Sequence, residues 1–76
     1  MKHVAVESSN LASVAHDGDA LLEVKFKNGA VYRYEDVPTH VHEALMAADS
    51  KGAHFHKHIR SRFKSTMVSP ATKASS

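Results

Sequence analysis

The stretch LLEVKFKNGAVYRY, residues 21–34, constrains the fold more than any other part of this 76-residue chain. Apolar and charged residues alternate up to an Asn-Gly pair and resume alternating after it, the pattern of a β-hairpin. Leu22, Val24 and Phe26 therefore share one face of the first strand, and Glu23, Lys25 and Lys27 share the other. One face is core. Upstream, NLASVAHD supplies another strand in which Leu11, Ser13 and Ala15 alternate, ended by the turn residues Asp17, Gly18 and Asp19. Three strands in this order predict an antiparallel meander.

Turn length decides which face receives Tyr32 and Tyr34, because a one-residue slip moves every side chain of a strand to the other side. A two-residue turn of Asn28 and Gly29 alone pairs Lys25 with Tyr32 and Glu23 with Tyr34, which sets the tyrosines among lysines on the exposed face. An aromatic and basic surface of that kind suits single-stranded nucleic acid. A turn with Gly29 as a left-handed bulge instead pairs Val24 with Tyr32 and Leu22 with Tyr34, placing both tyrosines inside. Polarity favours the bulge. It sorts Leu22, Val24, Phe26, Ala30, Tyr32 and Tyr34 inward and leaves Glu23, Lys25, Lys27, Arg33 and Glu35 outward, with Val31 the exception.

Past the hairpin the apolar period lengthens to that of a helix. In DVPTHVHEALMAAD, Pro38 suits the first helical turn, and Val41, Ala44, Leu45 and Ala48 fall on one stripe. Ser50 reads as the N-cap of a second helix through AHFHKHIRSRF, with Gly52 as a break or loose first turn and Phe55, Ile59 and Phe63 as its buried side. The expected fold is an α+β domain over residues 1–64, with a small antiparallel sheet of about three strands followed by two short helices packed on one face. STMVSPATKASS, residues 65–76, is small and polar and reads as a disordered tail.

Size and composition narrow the function. One small core is all the chain can build, so self-association as a weak homodimer is as open as a monomer. The chain has no cysteine, no apolar run of membrane-spanning length and no signal-peptide pattern, which predicts a cytoplasmic protein with no membrane partner. Residues 1–49 carry a net charge of −4, whereas residues 50–76 carry +6 with no acid at all. Five of those cations, Lys51, Lys57, Arg60, Arg62 and Lys64, lie between 51 and 64 and form the candidate binding set for phosphates or an acidic protein surface. On a continuous helix Lys57, Arg60 and Lys64 would share a stripe, and Arg33 beside Lys25 on the outer sheet face would extend the patch or make another.

Seven histidines invite a metal reading. On a helix, however, only His54 and His58 face the same way, and two ligands do not make a site, so neither a metal nor another cofactor is expected. His40 or His42 would have to complete such a site. No nucleophile elbow, phosphate loop or HExxH pattern is present, and Ser8, Ser9 and Asn10 read as turn or cap residues, so an enzyme is not expected.

The order of VESSNLASVAHD, LLEVKFKNGAVYRYEDVP and ALMAADSKGAHFHKHIR resembles the KTSC domain, a module named for its occurrence at the C-terminus of some lysyl-tRNA synthetases and also found free-standing in bacteria and phages. The resemblance covers about residues 6 to 63. It rests on Ser8-Ser9, Asn28-Gly29, Tyr32-Arg33-Tyr34, Val37-Pro38, the Ala48-to-Gly52 run, and Phe55 with Ile59-Arg60. His54 and His56 depart from it, where an aromatic and an asparagine would be expected. The resemblance implies a non-catalytic module for which RNA binding is suggested by attachment to a synthetase. The leading expectation is a small module binding RNA or single-stranded DNA through the basic segment. The alternative is a protein-interaction module, phage-encoded and acting on a host protein.

Overall fold

A computed structural model describes residues 2–8 and 10–70. Five strands and two helices follow in the order β1 (Val4–Ala5), β2 (Leu11–His16), β3 (Leu22–Phe26), β4 (Val31–Tyr34), α1 (Thr39–Ala47), α2 (Lys51–His58) and β5 (Ser65–Ser69). All the strands pair antiparallel in chain order, with the helices inserted between β4 and β5.

The hairpin takes the bulged register. Leu22 pairs with Tyr34 and Val24 with Tyr32, while Glu23 faces Arg33 on the outer side. The Gly29 amide donates to the Phe26 carbonyl at 3.0 Å, the Phe26 amide to the Ala30 carbonyl at 2.8 Å, and Asn28 Oδ1 accepts the Ala30 amide at 3.0 Å. Gly29 holds φ +95°, a conformation that a Cβ makes costly. A Gly29→Val substitution should therefore lower stability by about 1–2 kcal/mol. Urea denaturation checks this.

Two strands escape the sequence reading. The sheet has five strands, not about three. β1 is a two-residue edge strand on β2, too short for alternation to register. β5 lies within the segment expected to be a disordered tail; residues 65–69 pair along β4, so that expectation is corrected there, and residues 71–76 lie outside the described residues. The strand escaped notice because its residues are small, polar and exposed, and its stability comes from completing the ladder of β4 rather than from burial. In β2 a bulge between Leu11 and Ser13 overturns the simple alternation. Leu11 and Val14 therefore share the inner face, and Ser13 and Ala15 turn outward.

Both helices pack on the inner face through Leu45, Phe55 and Ile59, which join Leu11, Val14, Leu22, Val24, Tyr34 and Val37 in one core. Phe55 is its centre, edge-on to Phe26 at 5.6 Å and to Tyr34 at 5.4 Å between ring centroids. Ala44, expected on the α1 stripe, is exposed, and Met46 packs against the core instead. Pro38 stands at the N-cap of α1 rather than inside its first turn. Ser50 caps α2 as expected, accepting the Ala53 amide at 3.4 Å. Gly52, however, is no break. It is buried within α2 where a Cβ would come 3.0 Å from Ser8 Oγ, and that hydroxyl also accepts the amides of Asn10 and Leu11 at 3.3 Å each. Ser9 lies outside the described residues.

Candidate functional site

The helices do not cover the whole inner face. α2 ends at His58, where the amides of Ile59 and Arg60 both reach back to the Phe55 carbonyl, at 3.0 and 2.9 Å, and the chain turns away. It returns as β5, and among the described residues the sheet's inner side near the hairpin stays open. The result is a broad groove of about 940 Å³ lined by the hairpin residues Phe26, Lys27, Asn28 and Ala30, by Tyr32 and Tyr34 of β4, by His56 and Arg60, and by Asn10, Ser65 and Met67.

The two tyrosines diverge within it. Tyr34 is 3% exposed, and burial pushes its hydroxyl above the ordinary phenol range, with the Arg60 guanidinium pulling the other way. Tyr32 is only half-buried, edge-on to Phe26 at 5.7 Å, and pairs with Met67 of β5, which is 55% exposed. Both face inward as the bulged register requires, yet the inner face is wider than its helical cover. An aromatic floor therefore remains accessible to a ligand.

The six cations singled out in the sequence are scattered. Arg60 lines the groove, with Nη1 lying 3.2 Å from His56 Nδ1 and donating to it. Lys57, Arg62 and Lys64 are exposed, but the helical stripe expected to join Lys57, Arg60 and Lys64 is broken because α2 stops before Arg60. Lys51 turns back on the loop between the helices, its Nζ donating to the Ala48 carbonyl at 3.3 Å. Arg33 lies on the opposite face of the sheet, where Nη2 donates to Glu23 Oε2 at 3.1 Å, so it does not extend the groove. Sequence reasoning missed Lys27, Asn28, Asn10 and His56. Asn10 and Asn28 read as turn residues, Lys27 as an outward cation and His56 as a departure from the family pattern, so none of them entered the candidate binding set.

The outer face is occupied by polar bonds that fasten β1. His3 Nδ1 is 2.8 Å from Ser13 Oγ, and His3 Nε2 is 2.7 Å from Glu23 Oε1. The His3 bond, together with Arg33, holds the Glu23 carboxyl below its usual range despite partial burial. A serine, a histidine and a carboxylate in line suggest a catalytic relay, but Glu23 is shared with Arg33. The chain of bonds is a clamp on the N-terminal arm.

Four of the remaining histidines form two pairs. His54 and His58 stand with ring centroids 4.5 Å apart, and burial, then the neighbouring His58, lowers the His54 pKa. Among the described residues no group of three or more metal-ligating side chains is assembled. His16 and His42 stack at 5.1 Å. His16 Nε2 donates to the Val37 carbonyl at 2.7 Å, and its Nδ1 accepts the Gly18 amide at 3.0 Å. Burial, reinforced by His16, lowers the His42 pKa against the opposing pull of Glu43, and His42 Nε2 is buried with no partner among the described residues.

Below the ordinary imidazole value near 6.5 the unfolded chain takes up a proton at residue 42 that the folded chain resists, so stability should fall as the pH drops from about 7. His42→Leu should be at least as stable at neutral pH and lose less on acidification. Melting temperatures across that range check both.

The KTSC domain family model matches residues 7–63. A crystal structure of a KTSC domain protein from Yersinia pestis superposes with a TM-score of 0.82 at 33% identity, covering 88% of this chain and 96% of that one. An uncharacterised protein of Stutzerimonas stutzeri is 52% identical over 58 residues, spanning 75% of this chain and 82% of the relative. A lysine–tRNA ligase of Nostoc punctiforme is 46% identical over 48 residues, 63% of this chain but only 9% of that enzyme. No helix among the described residues is long and apolar enough to cross a membrane. With three quarters of the chain inside the family match and the same fold in a solved member, the chain belongs to the KTSC domain family.

Proposed function

We propose that the protein is a non-enzymatic binding module for single-stranded RNA or DNA. The observation that carries this reading is the groove itself: an aromatic floor of Phe26 and Tyr32 beside Arg60 and His56, with Lys27 on the hairpin turn. Unstacked bases gain from aromatic rings and phosphates from nearby cations, the combination that single-strand binders use without reading sequence. The bases of a duplex are already stacked and turned inward, so a duplex has little to offer such a floor. The kinship with part of a lysine–tRNA ligase adds support by analogy, since that enzyme handles an RNA.

Fluorescence anisotropy with a labelled single strand and with a duplex of the same length, at low salt, tests the reading. The single strand should bind more tightly; equal affinity, or no binding to either, would sink it. A protein partner is the second reading, favoured by the edge strand β5, where Met67 and Val68 are both exposed.

A further inference from the structure

We propose that the groove is built for one nucleotide, with the base against Tyr32 and Phe26 and the phosphate on the Arg60–His56 pair. This deepens, and rests on, the single-strand reading. Charge is the first argument. Two cation-capable side chains of the lining, Arg60 and His56, stand together at one place, 3.2 Å apart and both exposed. A phosphate can take the Arg60 donor from His56 at small cost, because an exposed contact of that length contributes little. It then receives the planar guanidinium, whose fork matches phosphate oxygens.

Polarity at the hairpin is the second argument. Asn28 Oδ1 is committed to the Ala30 amide, so the side chain offers the groove its NH₂ as a donor, suited to a carbonyl oxygen or ring nitrogen on a base edge. Asn10 stands beside it because the Lys27 amide donates to the Asn10 carbonyl at 2.9 Å. Size is the third. A groove of about 940 Å³ lies within the range of sites that take small ligands. An aromatic floor, amide donors at one wall and a guanidinium at another together match the three parts of a nucleoside monophosphate.

The test is an amide NMR titration of the whole chain with uridine 5′-monophosphate, uridine and inorganic phosphate, followed by competition against a labelled single-stranded RNA. The monophosphate should shift Phe26 to Ala30, Tyr32, His56, Arg60 and Met67, with uridine and phosphate each at least about tenfold weaker, since each keeps only part of the contacts. Arg60→Ala, at an exposed position, should weaken the monophosphate about tenfold while the rest of the spectrum stays folded.

Shifts outside the groove, phosphate alone binding as well as the monophosphate, or an Arg60→Ala variant that binds as tightly would each overturn the proposal. So would an RNA complex that excess monophosphate does not displace, although RNA binding itself would then stand. Monophosphate binding in the groove with no affinity for any single strand would overturn the single-strand reading and leave the nucleotide site in place.

Discussion

Phe55→Ala is expected to remove a large share of the chain's stability. Phe55 is 1% exposed and is the one ring that both Phe26 and Tyr34 meet edge-on, so its removal empties the space between α2 and the sheet. Truncating a buried phenylalanine costs about 3–5 kcal/mol, and a chain of this length has about 4–11 kcal/mol in all. The urea midpoint should fall steeply, whereas Phe55→Leu, which keeps most of the buried area, should lower it much less. Cooperative unfolding of Phe55→Ala at a midpoint close to that of the parent would mean that the helices are held by something other than this packing.

A second large effect concerns salt. If Lys57, Arg60, Arg62 and Lys64 all neutralise phosphates of a single strand, the logarithm of affinity should fall with that of salt at a slope of about −2.8, or about 50-fold between about 50 and about 200 mM. All four are exposed, so replacing them together with alanine should leave the melting temperature near that of the parent. The variant should bind weakly with a slope no steeper than about −0.7, the single contact that Lys27 would leave. A slope that survives the substitution would move the phosphate contacts to other residues, with Lys27 on the hairpin turn the first to examine.

The hairpin was legible because three independent signals agreed: the alternation of residues 22–26, the Asn-Gly pair, and the clean sorting of charge that only the bulged register achieves. Ser50 as a cap and Phe55 with Ile59 as a buried side were legible for the same reason. β5 was not, because an exposed edge strand is specified by the vacancy beside β4 and leaves little mark in its own residues. The groove was hidden for a related reason. Periodicity tells which face a residue occupies but not how much of that face the helices reach, and α2 stops one turn short of the length its pattern suggested. Tyr32 was assigned to the correct side and still ends beside solvent. Whether Arg33 extends the patch of Arg60 or makes another was open in the sequence; they stand on opposite faces because strand alternation fixes the first and the turn after α2 fixes the second.

The pairing of β5 with β4 has a consequence for where the functional unit ends. The family match closes at residue 63, yet Ser65 and Met67, which form one wall of the groove, come after it. Family match and groove thus have different borders. A segment trimmed to the shared alignment would keep the buried rings that hold it together, leave β4 as a raw edge, and lose one wall of the groove. Two members of the family alike over the shared stretch can therefore differ in what they hold through the few residues that follow.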